Sequence, residues 1–198
     1  MTDNEHHYCV CMTPADLSPE DQKRLQSHRA ALLKAARWSN GDIITVKFLE
    51  GPPQLQNRVQ EVAEEWTAPG MANLTLDFRD DGPADIRIAF QQGNGSWSYL
   101  GTMCRQLQEP RPTMNYGWLT DNSPDDEVRR VVLHEFGHAL GLIHEHQNPQ
   151  GGIQWKIAAV TKDLSGPPNN WNDATIQNNI FKKYPLPTSL QLTSIRSR

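Results

Sequence analysis

The most constraining feature of this sequence is the run His134–His144, which reads H-E-x-x-H-x-x-G-x-x-H. Two histidines four residues apart project from one face of an α-helix, so His134 and His138 can reach a single ion at about 2.0–2.1 Å. Gly141 can adopt the left-handed conformation that ends a helix, which lets His144 approach as a third ligand. The fourth position is then left for water, which is the geometry of a catalytic zinc site.

Glu135 follows the first of these histidines and points beside the ion rather than at it. A water held by zinc has a pKa of about 7, so a neighbouring carboxylate can take its proton. We therefore predict that Glu135 is the general base of a hydrolytic reaction and passes the proton to the leaving amine. The alternative interpretation is an amphipathic helix whose histidines lie at the edge of a core and whose acid is solvated.

Composition limits the class of protein. A chain of 198 residues suits one domain, and a net charge of −4 gives no reason to expect a nucleic-acid or membrane partner. No apolar stretch is long enough to span a bilayer. The N-terminus is polar and acidic, so we predict no signal peptide and leave the compartment unknown. We expect a monomer with free thiols, although a bridge from Cys104 to Cys9 or Cys11 is open in an oxidising compartment.

Hydrophobic periodicity predicts an α/β (α+β) fold with a mixed, twisted sheet. We expect residues 1–17 to be unstructured. The predicted helices lie at 18–37, at 55–66, from a cap at Ser123 to Gly141, and less regularly at 155–162 and 174–183. The predicted strands lie at 44–48, 74–78, 86–90 and 113–119.

Three segments resemble the astacin branch of the metzincin zinc peptidases. They are the zinc motif, the Glu145 that follows its third histidine, and the stretch Gly95–Gly101. The resemblance covers Trp38–Asn148 and implies a zincin-like domain with a five-stranded upper subdomain, an active-site helix and a cleft for an extended peptide. Secretion is typical of the resembled family.

The resemblance divides the chain into three parts: an N-terminal extension at 1–37, an upper zinc-peptidase subdomain at 38–144, and a lower subdomain at 145–198. Metzincins place a methionine turn below the zinc after the third histidine. No methionine follows Met114 here. We therefore expect the upper subdomain to be complete and the lower one to be truncated.

The predicted activity is that of a zinc metalloendopeptidase acting on proteins or peptides. The zinc ligands are His134, His138 and His144, and Glu135 is the catalytic residue. Substrate is expected to pair with an exposed edge strand formed by Thr113, Met114, Asn115, Tyr116 and Gly117. An alternative is a catalytically impaired relative that binds zinc and peptide without cutting. A non-peptidase metalloenzyme is a weaker third possibility.

Two further patterns leave alternatives open. Some metzincins carry a pro-segment whose cysteine thiolate takes the fourth zinc position, so Cys9 or Cys11 would give residues 1–37 a latency role. The plainer interpretation is that these thiols are incidental. Asp80, Asp81 and Asp85 would suit calcium, although a polar turn explains them more simply.

Overall fold

The computed structural model describes residues 9–12, 36–147, 152–167 and 169–183. The chain divides into two compact units, Met1–Ile143 and His144–Arg198. The predicted helix at 18–37, except for its last two positions, and the tail at 184–198 lie outside the described residues. Within the described ranges, none of the helices has the length and apolar character that crossing a bilayer requires.

A six-stranded mixed sheet forms the frame of the first unit, and the alternating patterns predict four of its strands. Its strands are β1 (Cys9–Met12), β2 (Ile43–Phe48), β3 (Thr75–Phe78), β4 (Ile86–Ala89), β5 (Ser96–Tyr99) and β6 (Met114–Asn115). Their order across the sheet is β1-β5-β6-β4-β2-β3. Only the β5–β6 pair among these is antiparallel.

Two helices pack with this sheet around the main core. Helix α1 (Pro53–Glu64) continues as a 3-10 turn at Glu65–Thr67, and helix α2 (Asp125–Ala139) carries the zinc motif. A further 3-10 helix, Gly101–Gln106, follows β5. The main core consists of apolar side chains from both helices and from the strands, among them Leu55, Val59, Ile44, Ile86, Met114, Val128, Val132 and Phe136.

Strand β1 differs from the expectation that residues 1–17 are unstructured. Cys9 and Cys11 are buried, whereas the alternate residues Val10 and Met12 are half-buried. Cys9 joins the main core, and Cys11 packs with a second cluster that includes Leu100 and Met103. Burial of alternate side chains against the first unit therefore stabilises a strand that the polar local composition does not indicate. Cys9, Cys11 and Cys104 form no disulfide among the described residues.

Helix α2 begins later than its sequence suggests. The sequence predicts Ser123 as its cap, but the helix begins at Asp125, and the N-cap position is held by Pro124. The hydroxyl oxygen of Ser123 instead accepts a hydrogen bond from the backbone N–H of Thr120, at 2.9 Å. Three acids in the first turn, Asp125, Asp126 and Glu127, complement the positive end of the helix dipole in place of a side-chain cap.

The second unit is helical in its described part. It contains a 3-10 turn at Glu145–Gln147, helix α3 (Ile157–Ser165), the short helix α4 (Asp173–Ile176) and a π-helical turn at Gln177–Phe181. The side chain of Asn172 caps α4 by accepting from the N–H of Thr175 at 2.8 Å. The predicted helix at 155–162 is thus shifted toward the C-terminus, and that at 174–183 is split in two.

Candidate metal and catalytic site

Helix α2 places the first half of the motif as predicted. His134 and His138 lie one turn apart, and their Nε2 atoms are 3.0 Å from each other. Two nitrogens that each lie about 2.1 Å from one tetrahedral ion would be roughly 3.4 Å apart, so the pair fits a shared metal closely. The geometry therefore meets the requirement of a zinc site for two convergent imidazoles on one helix.

A turn after the helix fixes the ring of His138. Gly141 has a φ of 101°, in the left-handed region where glycine has no steric penalty. Its N–H donates to the carbonyl of His138 at 2.8 Å, and the N–H of Leu142 donates to that of Gly137 at 2.9 Å. The Leu142 carbonyl lies 2.8 Å from Nδ1 of His138. Because a carbonyl can only accept, Nδ1 carries the proton, and Nε2 has the lone pair that a metal needs.

Burial keeps His138 in this neutral form. It lowers the pKa of His138 to about 4, and the neighbouring His134 acts in the same direction. A neutral imidazole is the form that binds metal, so His138 is ready for coordination across the neutral pH range.

Glu135 lies on the same helix with its side chain enclosed. Both carboxylate oxygens are buried, and neither has a hydrogen-bond partner among the described nitrogen and oxygen atoms. Burial raises the pKa of Glu135 well above its usual range, while Cys9 and Arg130 lower it in part. A buried carboxylate without N–H or O–H partners is unusual, since each unpaired oxygen costs free energy. Environments of this kind occur often at functional sites.

The thiol of Cys9 meets this part of the helix. The Sγ atom of Cys9, a ring nitrogen of His134 and a carboxylate oxygen of Glu135 all lie within 4.8 Å of one another. Burial, followed by the charge of Glu135, raises the pKa of the Cys9 thiol well above its ordinary value. Strand β1 therefore brings a potential metal ligand to the zinc helix from a distant part of the sequence.

The prediction that Thr113–Gly117 forms an exposed edge strand is wrong, because the strand in this segment lies inside the sheet. Strand β6 lies between β5 and β4, with Met114 opposite Ser98 on one side and Ile88 on the other. All five residues are buried. A strand paired on both sides has no free main-chain groups for a peptide. The local pattern predicts a strand at 113–119, of which only Met114–Asn115 forms one. Edge position depends on the pairing of distant segments.

Tyr116 acquires a different environment from the predicted one. Its hydroxyl is fully buried, without a hydrogen-bond partner in the described structure, and its ring packs against Phe90 at 5.8 Å between centroids. Burial, and then the charge of Glu135, raise the pKa of Tyr116 well above its usual value. Tyr116 therefore lies in the main core with residues of helix α2 rather than on an exposed surface.

The remaining predicted positions can be stated briefly. His144 is the first residue of the second unit, three residues after Gly141, and its role as a ligand stays a prediction of the motif. The carboxylate of Asp85 pairs with Arg105 at 2.8 Å and accepts from the hydroxyl of Thr45 at 3.1 Å, which explains it without calcium. Sequence reasoning missed Trp38, whose indole N–H contacts the end of α2 and which no local pattern marks.

Comparison with known sequences finds a matching family and individual relatives. The sequence profile of the family Astacin (Peptidase family M12A) matches residues 33–159. The zinc metalloproteinase nas-38 of Caenorhabditis elegans is 26% identical over 153 residues, covering 76% of this chain and 19% of that protein. The interstitial collagenase of Aquarana catesbeiana is 25% identical over 157 residues, covering 70% of this chain and 40% of that protein. The chain thus spans less than half the length of either relative.

Solved structures of myroilysin resemble the fold. One is 42% identical with a TM-score of 0.73, covering 78% of this chain and 74% of that one. A second is 34% identical with a TM-score of 0.65, covering 96% of this chain and 75% of that one. The α/β fold of this chain is therefore similar to that of a solved structure.

Proposed function

Because this chain belongs to the astacin family (peptidase family M12A), we propose that it is a zinc metalloendopeptidase that cleaves proteins or peptides. The observation that carries the proposal is the convergence of the His134 and His138 Nε2 atoms, 3.0 Å apart, on the helix that also holds the buried Glu135. We keep the predicted parts of the chain, an extension at 1–37 and subdomains at 38–144 and 145–198, within this proposal.

The proposed zinc ligands are His134, His138 and His144. The first two are supported by their geometry, and His144 by the spacing of the motif in a chain of this family. Zinc, when bound, polarises the scissile carbonyl and lowers the pKa of water to about 7. Three neutral imidazoles leave the net charge of the ion uncompensated, which favours this Lewis-acid role.

Glu135 supplies the proton transfers. One carboxylate oxygen accepts the proton of the attacking water, and the same carboxyl then donates it to the leaving nitrogen. The absence of N–H or O–H partners on either oxygen, among the described residues, leaves both lone-pair sets for this task. Glu135 directly follows the proposed ligand His134, and in this motif that place belongs to the general base rather than to a ligand.

The proposed substrate strand is β5, in place of the buried β6. One side of β5 pairs antiparallel with β6, and its other side is paired with β1 along Cys9–Met12. That outer side therefore accepts an extended chain through main-chain hydrogen bonds, the mode by which peptides add to a sheet edge. A peptide substrate would take the same place once β1 has left it.

This arrangement supports a latency role for the extension at 1–37. Strand β1 occupies the outer side of β5 and holds the Cys9 thiol within 4.8 Å of His134 and Glu135. Burial by itself favours the neutral thiol of Cys9. A bound metal ion would favour the thiolate instead, because the charge of the ion stabilises a coordinated thiolate. Cys9 would then exclude the water that the reaction requires.

We expect Cys9→Ala to increase cleavage of a short peptide by the zinc-loaded chain by about tenfold or more. The reason is that no thiolate would then compete with water for the fourth zinc position. Cys11→Ala is the matched control, since Cys11 is buried on the same strand but packs with Leu100 and Met103. Cobalt substitution gives a second measurement: a thiolate-to-cobalt absorption band should be present in the wild type and in Cys11→Ala. A band that persists in Cys9→Ala would contradict this assignment.

The test of the proposed function is the digestion of casein by the zinc-loaded wild-type chain and its Cys9→Ala variant, with and without a chelator. We expect fragments that disappear with chelator and return when zinc is added back. The rival function, a zinc-binding relative that does not cut, predicts bound zinc but no chelator-sensitive fragments from either protein. Elemental analysis of the same samples separates these two outcomes.

A further inference from the structure

A tryptophan from outside the zinc motif donates a hydrogen bond to the C-terminal end of the motif helix α2. The last four carbonyls of an α-helix have no partner within it. In α2, those of Phe136, Gly137 and His138 accept from the N–H groups of the turn that follows. The fourth, that of Ala139, accepts from the indole Nε1–H of Trp38 at 2.8 Å. Trp38 therefore fills the position that the turn leaves open.

The same turn sets the orientation of a metal ligand. Leu142, whose N–H is bound to Gly137, presents its carbonyl to Nδ1 of His138 at 2.8 Å. This bond directs Nε2 of His138 toward Nε2 of His134. A displacement of the peptide at Ala139 would move the turn and hence rotate the imidazole. The hydrogen bond from Trp38 thus acts one residue from the ligand it affects.

The indole ring of Trp38 is itself held in place by contacts that lead back to the sheet. The guanidinium of Arg105 lies over the Trp38 ring, 4.7 Å from its centroid. Arg105 Nε donates to Asp85 at 2.8 Å, and Asp85 in turn accepts from the backbone N–H of Thr45 on β2 at 3.1 Å. A chain of contacts therefore connects the sheet to the end of α2 through a side chain that has little freedom to rotate.

We infer that Trp38 is a positioning residue for the metal ligand His138, acting through the carbonyl of Ala139. This inference rests on the proposed zinc site. Trp66 provides an internal comparison, because its Nε1 donates to the carbonyl of Leu133 on the same helix, at 3.1 Å. Leu133 lies in the helix interior, where the i→i+4 ladder already supplies a partner, so the bond from Trp66 does not govern the turn.

The experiment measures zinc affinity by competition with a chromophoric chelator, using the full chain. We expect Trp38→Phe to weaken zinc binding by about 10-fold or more, in the range typical of residues that orient metal ligands. Trp66→Phe, which removes an indole hydrogen bond to the same helix, should stay within about twofold of the wild type. The unfolding midpoints of the zinc-free proteins show whether the two variants are equally folded.

Arg105→Met gives an independent measurement if Trp38→Phe folds poorly. This substitution removes the cation over the Trp38 ring but keeps the indole N–H, so we expect zinc affinity to fall by about threefold. Equal affinities for the wild type and Trp38→Phe, or equal losses in Trp38→Phe and Trp66→Phe, would overturn the inference. A wild-type chain that takes up no zinc would instead refute the proposed function.

Discussion

Glu135→Gln should lower kcat/KM for a peptide by about 10³-fold or more, because an amide cannot accept the proton of the attacking water. The substitution is nearly isosteric and removes a buried charge that has no hydrogen-bond partner among the described nitrogen and oxygen atoms. Zinc content should therefore be unchanged, and the zinc-free protein should unfold no earlier than the wild type. Peptide cleavage assays, elemental analysis and thermal unfolding of the same samples measure these quantities.

The control for this prediction is Glu127→Gln, two turns earlier on the same helix. Glu127 binds Arg130 and the indole of Trp118 at the surface, so its loss should leave kcat/KM within about twofold. If Glu135→Gln keeps a tenth of the wild-type activity or more, the carboxylate is not the base. An equal loss in both variants would point to a general effect of charge on the helix.

Gly117→Ala should destabilise the protein by about 3 kcal/mol. A Cβ at this position would lie 2.2 Å from the carbonyl oxygen of Gly95 and 2.5 Å from its carbon. The Gly95 backbone has little room to yield, because its oxygen accepts from the amide of Asn115 at 2.6 Å. Urea unfolding of the zinc-loaded protein measures the change.

Gly82→Ala is the control that separates the steric clash with Gly95 from the ordinary loss of stability when a glycine is replaced. Gly82 has a φ of 76°, and a Cβ added there would meet no atom within 4 Å, so it carries only the left-handed penalty of about 1–2 kcal/mol. A Gly117→Ala variant no less stable than Gly82→Ala would show that the turn before β5 shifts freely. The start of the proposed substrate strand would then be less rigid than its packing indicates.

Local periodicity predicts the site helix well, because the information lies within one turn of helix. The spacing of His134 and His138 specifies a common face, and Gly141 specifies the turn, irrespective of the rest of the chain. Period-two patterns likewise predict the mixed sheet. These features depend on neighbours in sequence, and the structure has them where the patterns place them.

The errors concern contacts between distant segments. Strand β1 is four residues long and becomes a strand only through burial of Cys9 and Cys11 against the first unit. The composition of 113–117 does not show whether it is an edge strand, since this depends on which strands lie beside it. Trp38 contacts Ala139 across 101 positions in sequence. Long-range pairing of this kind leaves no mark on local periodicity.

The place of β1 at the end of the sheet has a consequence for timing. A terminal strand with one neighbour can detach in a local opening, which costs far less than unfolding the domain. Exposure of the cleft would then occur many times for each global unfolding event. The resting protein would show this as amide hydrogen exchange along β5 that is faster than exchange in α2. The frequency of these local openings would set its background rate of self-activation.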